Sequence, residues 1–244
     1  MRAIRHYVDA NLHVGAQLDL PEAAVAHLVR VLRLGAGDAV VLFNGDGCDY
    51  PSRLLSAGKR GAEAEVLERH PLDNESPLPL TLAQGIARGE KMDFILQKAT
   101  ELGVARIAPV LTDRTEVKLD ADRAAKRMAH WRGVVLGACE QSGRARVPQL
   151  LEPQSLAAFA AGEGAGHRFL LDPFAERGIA QAGVLAGEAV TLLIGPEGGL
   201  SERDRLTARA AGFQGLRLGP RVLRTETAGL AAIAAINALY GDWR

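Results

Sequence analysis

A chain of 244 residues, 48% hydrophobic and 24% charged, has the size of one or two globular domains and enough apolar mass to bury a core. Lys plus Arg and Asp plus Glu both number 29, so the formal net charge is zero; this excludes a uniformly basic nucleic-acid surface and confines any RNA contact to local clusters. No run is long enough to span a bilayer, and the opening MRAIRHYVDAN lacks a signal peptide's apolar core, so a cytoplasmic protein is expected. Cys48 and Cys139 sit outside any CxxC and are expected to be buried thiols, with neither a disulfide scaffold nor a zinc site.

The first 70 or so residues read as β-rich. Ala39 to Phe43 forms a strand, Asn44-Gly45-Asp46-Gly47 has hairpin-turn chemistry, and Cys48 to Leu55 returns; a further strand at Ala62 to Glu68 follows Gly58 to Gly61. One helix interrupts, from about Pro21 to Val31, with proline at a favoured first-turn position. Short strands joined by tight turns suggest a small barrel, which would serve RNA binding, stability or dimerisation alike. His70 to Pro79, HPLDNESPLP, is rich in proline and turn formers and has no hydrophobic period. The domain boundary is placed there, with residues 1–72 in one domain and 78–244 in the other.

From Leu80 strands alternate with helices. Leu80 to Ile86 is a strand; Glu90 to Leu102 is a helix with Met92, Ile95, Leu96, Ala99 and Leu102 on one face, stopped by Gly103. Val104 to Leu111 is the next strand, and Asp122 to Ser142 a longer helix burying Ala125, Met128, Trp131, Val135 and Cys139. Ala157 to Gly166 reads as an Ala/Gly-rich linker, and Arg168 to Leu171 as a third strand ending at Asp172-Pro173. The alternation predicts an α/β domain on a mostly parallel sheet.

The densest signal lies in Val190 to Ala228. An apolar run, Val190 to Ile194, breaks at Gly195-Pro196-Glu197-Gly198-Gly199, and a polar helix follows. Ser201 with Asp204 has the spacing of a capping box, and Gly212 supplies a left-handed stop. A short strand at Leu216 to Leu218 breaks at Gly219-Pro220, and Thr225-Glu226-Thr227 opens the last helix. Open parallel sheets bind ligands at such loops, outside the carboxyl ends of their strands. GPEGG has neither the Lys-Ser/Thr of a P-loop nor GxGxxG spacing, which argues against a triphosphate. Glycine lets the backbone approach a ligand while Ile194, Leu200, Leu218 and Leu223 supply apolar walls, a combination suited to a flat purine. The same glycines would also serve a plain tight turn.

IGPEGG, a Ser/Glu-led helix and then LGPRVLRTETA resemble the SPOUT methyltransferases, and among them the small-subunit (16S) ribosomal RNA uridine N3-methyltransferase family. Further matching pieces are Lys91 with Asp93, QKATELGV at Gln97 to Val104, Ile107 with Pro109, Thr112 with Arg114, and EQSGR at Glu140 to Arg144 with Pro148. HLVRVLR, Gly37-Asp38 and Asp46-Gly47 extend the match through nearly the whole chain. The resemblance implies a PUA-like, RNA-binding β-barrel ahead of a SPOUT α/β domain closed by a carboxyl-terminal trefoil knot. It also implies a homodimer with each site near the subunit interface, S-adenosylmethionine as methyl donor, and methylation of N3 of one uridine in 16S rRNA within the small ribosomal subunit. Three strand ends are expected to converge on the donor, through Leu171, Asp172, Ile194, Gly195, Gly199, Leu218, Gly219, Leu223, Thr225, Thr227 and Ala228.

Methyl transfer from a sulfonium is a displacement at carbon, which needs alignment and exclusion of water but no metal. Uridine N3 carries a proton, so a base must take it or a cation must stabilise the anion. Glu140, Glu197 and Glu226 are the acidic candidates, and Arg224 or Arg144 the cationic ones. Arg224 stands first because its loop should meet both donor and acceptor, giving a catalytic set of Arg224, Glu140 and Glu197. Each carboxylate also has a plain reading as a helix-surface, turn or first-turn charge. RNA contacts are expected at Arg5, Arg33, Arg114 and Arg144, within local basic clusters that add Arg2, His6, Arg30, Lys59, Arg60, Arg123, Lys126, Arg127 and Arg146. Two other classes fit the residues alone: an RNA-binding or assembly protein that holds S-adenosylmethionine or a nucleotide without chemistry, and a phosphate-handling nucleotide enzyme, weakened by the missing Lys-Ser/Thr.

Overall fold

The computed structural model describes residues 4–58, 60–117, 121–162 and 166–243. It divides into two compact units, Met1–Glu75 with Cys139–Val147, and Ser76–Ala138 with Pro148–Arg244.

The first unit is a mixed six-stranded sheet. Its strands are β1 (Arg5–Tyr7), β2 (Gln17–Asp19), β3 (Ala39–Phe43), β4 (Cys48–Gly58), β5 (Gly61–Val66) and β6 (His70–Pro71), in the order β1-β3-β4-β5-β2 with β6 on β4. The β3–β4 hairpin turns where its sequence predicts, with Gly45 and Gly47 at φ +96° and +95°. Strands β1 and β2 have three residues each, too few to display a two-residue period, and β1 pairs with β3 in parallel. The expected helix begins as α1 (Glu22–Ala24) and continues as a π-helical run, Val25–Val31, capped by Leu32 and followed by Arg33 at φ +59°. Leu28, Leu42, Tyr50, Leu54 and Ala64 lie in the core between this helix and the sheet.

Residues Cys139–Val147, assigned by sequence pattern to the second domain, pack into this first unit. Arg5 is the fastener. Its guanidinium donates to the Asp49 carboxylate at 2.5 and 3.1 Å, to Cys139 O at 2.8 Å and to Arg144 O at 3.3 Å, and stacks on Phe43. Arg144 forms a two-pronged ion pair with Glu75, and Glu140 accepts from His6 Nδ1 at 2.7 Å and from Tyr7 N at 3.1 Å. Arg5 and Arg144 are 8% and 4% exposed, so neither presents the RNA-binding surface expected of it; both satisfy buried backbone and carboxylate groups instead. Cys48 and Cys139 are buried free thiols as expected, and burial pushes Cys139 up to about 11.

The second unit is a seven-stranded parallel sheet. In chain order it contains β7 (Leu80–Gly85), α2 (Glu90–Glu101), β8 (Arg106–Leu111), α3 (Ala121–Ser142, whose residues from Cys139 belong to the first unit), β9 (Gln149–Leu150), β10 (Gln154–Ser155), α4 (Leu156–Ala161) and β11 (His167–Leu171). Then come β12 (Val190–Ile194), α5 (Glu202–Ala210), β13 (Gln214–Leu216) and α6 (Thr225–Tyr240). The order is β10-β8-β7-β12-β11-β13, with β9 on β8, so β12 is laid between two earlier strands. All five residues of β12 are buried, as a strand covered on both faces requires. Helix α5 carries the predicted Ser201–Asp204 capping box, and Gly212 follows it at φ +84°. The supposed linker at 157–166 instead holds α4, capped by Ser155 Oγ, which accepts from Ala158 N. An alanine-rich run is a good helix former once capped and packed. Among the described residues no helix is long and apolar enough to cross a membrane.

Replacing Arg5 by Ala leaves Asp49 and two buried carbonyls without their donor. The expected loss is about 3 kcal/mol of stability, the scale for breaking a buried ion pair, read as a lower denaturant midpoint for the first unit by fluorescence or hydrogen exchange. A change below about 0.5 kcal/mol, the level of an ordinary surface substitution, would show that the bonds carry no weight.

Candidate functional site

Three loops at the carboxyl ends of β11, β12 and β13 wall a cleft of about 570 Å³ in the second unit. The β12 loop is packed against its neighbours too closely for side chains. A Cβ on Gly85 would lie 2.5 Å from Pro196 N, and one on Gly195 would lie 2.8 Å from Gly199 C and 2.9 Å from Leu200 N. Gly195 is therefore required by loop-to-loop packing before any ligand arrives. Gly219 differs: its Cβ would meet nothing within 4 Å, but φ is +100°, so the turn itself calls for glycine.

A buried hydrogen-bond relay joins this loop to the start of α6. Gln84 Nε2 donates to Gly85 O and to Thr225 Oγ1, each at 2.9 Å, and Thr225 Oγ1 donates to Gly195 O at 2.6 Å. Thr225 is thus a tie across the site and not the helix cap its position suggested; Arg224 occupies the cap position without a side-chain bond. On the opposite wall Asp172, 4% exposed, accepts from Phe174 N at 3.0 Å and pairs with Arg205 at 2.8 Å, fixing the loop after β11.

Of the residues expected to hold a cofactor, Leu171, Asp172, Ile194, Gly195, Gly199, Leu218, Leu223, Thr225 and Ala228 line the cleft. Gly219 shapes its rim without lining it, and Thr227 is exposed on the far side of the first helical turn. Leu216, Phe174, Arg205, Arg221 and Val222 line it as well and were missed. Phe174 and Val222, 83% and 77% exposed, carry no sequence signal that separates a cleft rim from an ordinary loop.

The charged candidates separate. Arg224 and Arg114 line the cleft; Arg114 donates to Gly198 O at 2.8 Å, whereas the Arg224 side chain has no protein partner among the described residues. Glu197 also lines it, accepting from Arg88 N at 3.1 Å and pairing with Lys91 at 3.3 Å. Burial pushes the Glu197 carboxyl up, but its own backbone N–H, that of Arg88 and the Lys91 ammonium outweigh this and hold it below the ordinary range. Glu140 lies in the first unit and does not line the cleft. Burial raises its carboxyl too, and the His6 and Tyr7 bonds overcome that to leave it lowered. Fixed donors hold both carboxylates below their ordinary range, and of the two only Glu197 stands at the cleft. Arg33 and Arg60 are exposed in the first unit, and Arg2 and Lys59 lie outside the described residues.

Apolar walls, glycine backbone and strand carboxyl ends define an α/β domain built to hold a nucleoside-like ligand. Known proteins place it further. Residues 74–237 match the family model described as an RNA methyltransferase domain, and residues 20–67 the RNA methyltransferase PUA domain. The chain therefore belongs to the RNA methyltransferase family, with that family's PUA domain at its amino-terminal side. It is 31% identical over 242 residues to the ribosomal RNA small subunit methyltransferase E of Buchnera aphidicola, covering 99% of this chain and 98% of that protein. The enzyme of the same name from Bacillus subtilis is 32% identical over 226 residues, covering 87% of this chain and 86% of that protein. Among solved structures, ribosomal RNA small subunit methyltransferase E of Neisseria gonorrhoeae, bound to S-adenosylmethionine, has a TM-score of 0.91 and 41% identity over the full length of both chains. A Legionella pneumophila chain in complex with the same cofactor has a TM-score of 0.96 and 37% identity, covering 99% of this chain and 100% of that one.

The two glycines give separable outcomes. Gly195→Val should eliminate calorimetric binding of S-adenosylmethionine, because the loop must move to admit the side chain. Gly219→Ala should weaken it only modestly, since the left-handed backbone costs about 1–2 kcal/mol and no atom is in the way. Equal losses from both would contradict this division.

Proposed function

We propose that this chain transfers the methyl group of S-adenosylmethionine to N3 of one uridine in 16S rRNA, within the small ribosomal subunit in the cytoplasm. The observation that carries the reading is the cleft itself: glycine-walled, apolar, at three parallel strand ends, with an unpaired guanidinium at its edge. The site fits this donor. Ile194, Leu218 and Leu223 offer faces for a purine, and the tight β12 loop brings backbone groups to the cleft wall. When bound, S-adenosylmethionine supplies an electrophilic methyl group on a sulfonium.

The residues of the chain do the rest. Leu171, Asp172, Gly195, Gly199, Thr225 and Ala228 would hold the donor, Gly219 shapes the turn that presents them, and Thr227 belongs to the first turn of the helix that follows. Arg224 stabilises the negative charge that develops on the uracil ring as N3 loses its proton. Arg114 and Arg33 are the remaining RNA-contact candidates, one at the cleft and one in the PUA-like domain. The enzyme acts as a homodimer with a carboxyl-terminal trefoil knot around the donor; laying β12 between β7 and β11 is the kind of chain path such a knot needs. A PUA-like RNA-binding domain over residues 1–72, joined by Cys139–Val147, and a methyltransferase domain over the rest of 78–244 divide the labour.

Incubating the protein and labelled donor with unmodified small subunits, then mapping the nucleoside by mass spectrometry, should show label on the base of one uridine. Label on a ribose 2′-hydroxyl or on guanosine would overturn the uridine reading. Arg224→Ala should lower turnover by about 100- to 1,000-fold while leaving donor affinity nearly unchanged, the scale of losing one charge-stabilising group.

A further inference from the structure

Deprotonation of N3 requires an acceptor at the cleft, and two of the three acidic candidates fail. Glu140 is not at the cleft, and Glu197 is bound by Arg88 and Lys91. Glu226 lines the cleft, and its carboxylate has no protein hydrogen-bond donor or ion-pair partner among the described residues. One of its oxygens, Oε2, is shut off from solvent and still unpartnered, which is costly for a polar atom unless a ligand completes the site. Its backbone is nevertheless fixed. Thr225, the preceding residue, is tied to Gln84 and Gly195, so the first turn of α6 holds Glu226 beside the exposed Arg224.

We propose that Glu226 is the general base that takes the N3 proton, an inference that rests on the uridine reading above. The new bond joins N3 to the methyl carbon as the carbon–sulfur bond breaks. The electron pair of that bond stays on sulfur, giving the neutral thioether, and the N3 proton passes to the Glu226 carboxylate. Proton loss runs ahead of bond formation, because only deprotonated N3 has a lone pair free to attack carbon, and a carboxylate suffices because the Arg224 guanidinium lowers the cost of the anion. Arg224 carries the charge that builds on the ring oxygens in the same interval.

Glu226→Gln is nearly isosteric and cannot accept the proton. Its turnover should fall about 100-fold or more, the usual contribution of a general base. Its affinity for S-adenosylmethionine and S-adenosylhomocysteine by calorimetry should stay within a factor of about three, as expected for a group acting only in the transition state. The rate of the variant should also rise by roughly tenfold per pH unit above neutrality, following the fraction of uridine already ionised, while Glu226→Asp restores part of the activity without that slope. Weaker binding of both donor and product, with an unchanged pH profile, would overturn the inference and assign Glu226 to holding the donor. Unchanged turnover with label on uridine would overturn it alone, whereas label on another base in the parent enzyme removes the uridine reading with it.

Discussion

The site depends on one buried chain of hydrogen bonds, Gln84 to Thr225 to Gly195. Gln84 comes from the end of β7, Gly195 from the loop after β12, and Thr225 from the first residue of α6. Gln84 is fully buried and Thr225 is 7% exposed, so these bonds form where water does not compete and where a missing partner is expensive. Through them the end of the sheet sets the position of the last helix, and the last helix sets where Arg224 and Glu226 stand.

Close packing reinforces that tie. Helix α6 crosses the sheet at Gly229, where a Cβ would meet Leu82, Gln84 and Ile194 side chains at 3.4 to 3.6 Å. The small residues of the carboxyl-terminal helix thus lower it onto β7 and β12, the two central strands, and the tight turn at Gly195 then has room only for backbone. The cleft is walled by a rigid strand end on one side and by turns at Gly199 and Gly219 on another, both at positive φ. Pre-formed walls of this kind bind a nucleoside without first ordering a loop.

Much of this was legible in the sequence because it is local. The β12 run, the GPEGG break, the Ser201–Asp204 cap and the Gly212 stop all arise from neighbouring residues, and they stand where their chemistry puts them. Interactions between distant segments were not legible. Arg5 looks like a basic surface residue in RAIRHY, yet its partners lie 44 and 134 positions away, at Asp49 and Cys139. The same long-range bonds draw Cys139–Val147 into the amino-terminal unit, against a domain boundary read from composition. Glu140 and Glu197 were chosen by residue type, which gives no sign of the distant backbone donors, Tyr7 N and Arg88 N, that fix them. The strand placed at Leu216 to Leu218 falls at Gln214–Leu216, because its pairing to β11 and not its apolar content sets its limits.

The most direct test of this account is Thr225→Val, which keeps the shape of the side chain and removes both of its hydrogen bonds. Loss of a buried bond with a stranded partner costs about 1–3 kcal/mol, equivalent to roughly a 5- to 150-fold weaker complex. Calorimetry with S-adenosylmethionine should therefore show affinity lower by that factor, with the circular dichroism spectrum of the parallel sheet unchanged. Donor affinity equal to that of the parent protein, in a folded variant, would contradict the claim that the Gln84–Thr225–Gly195 relay organises the site.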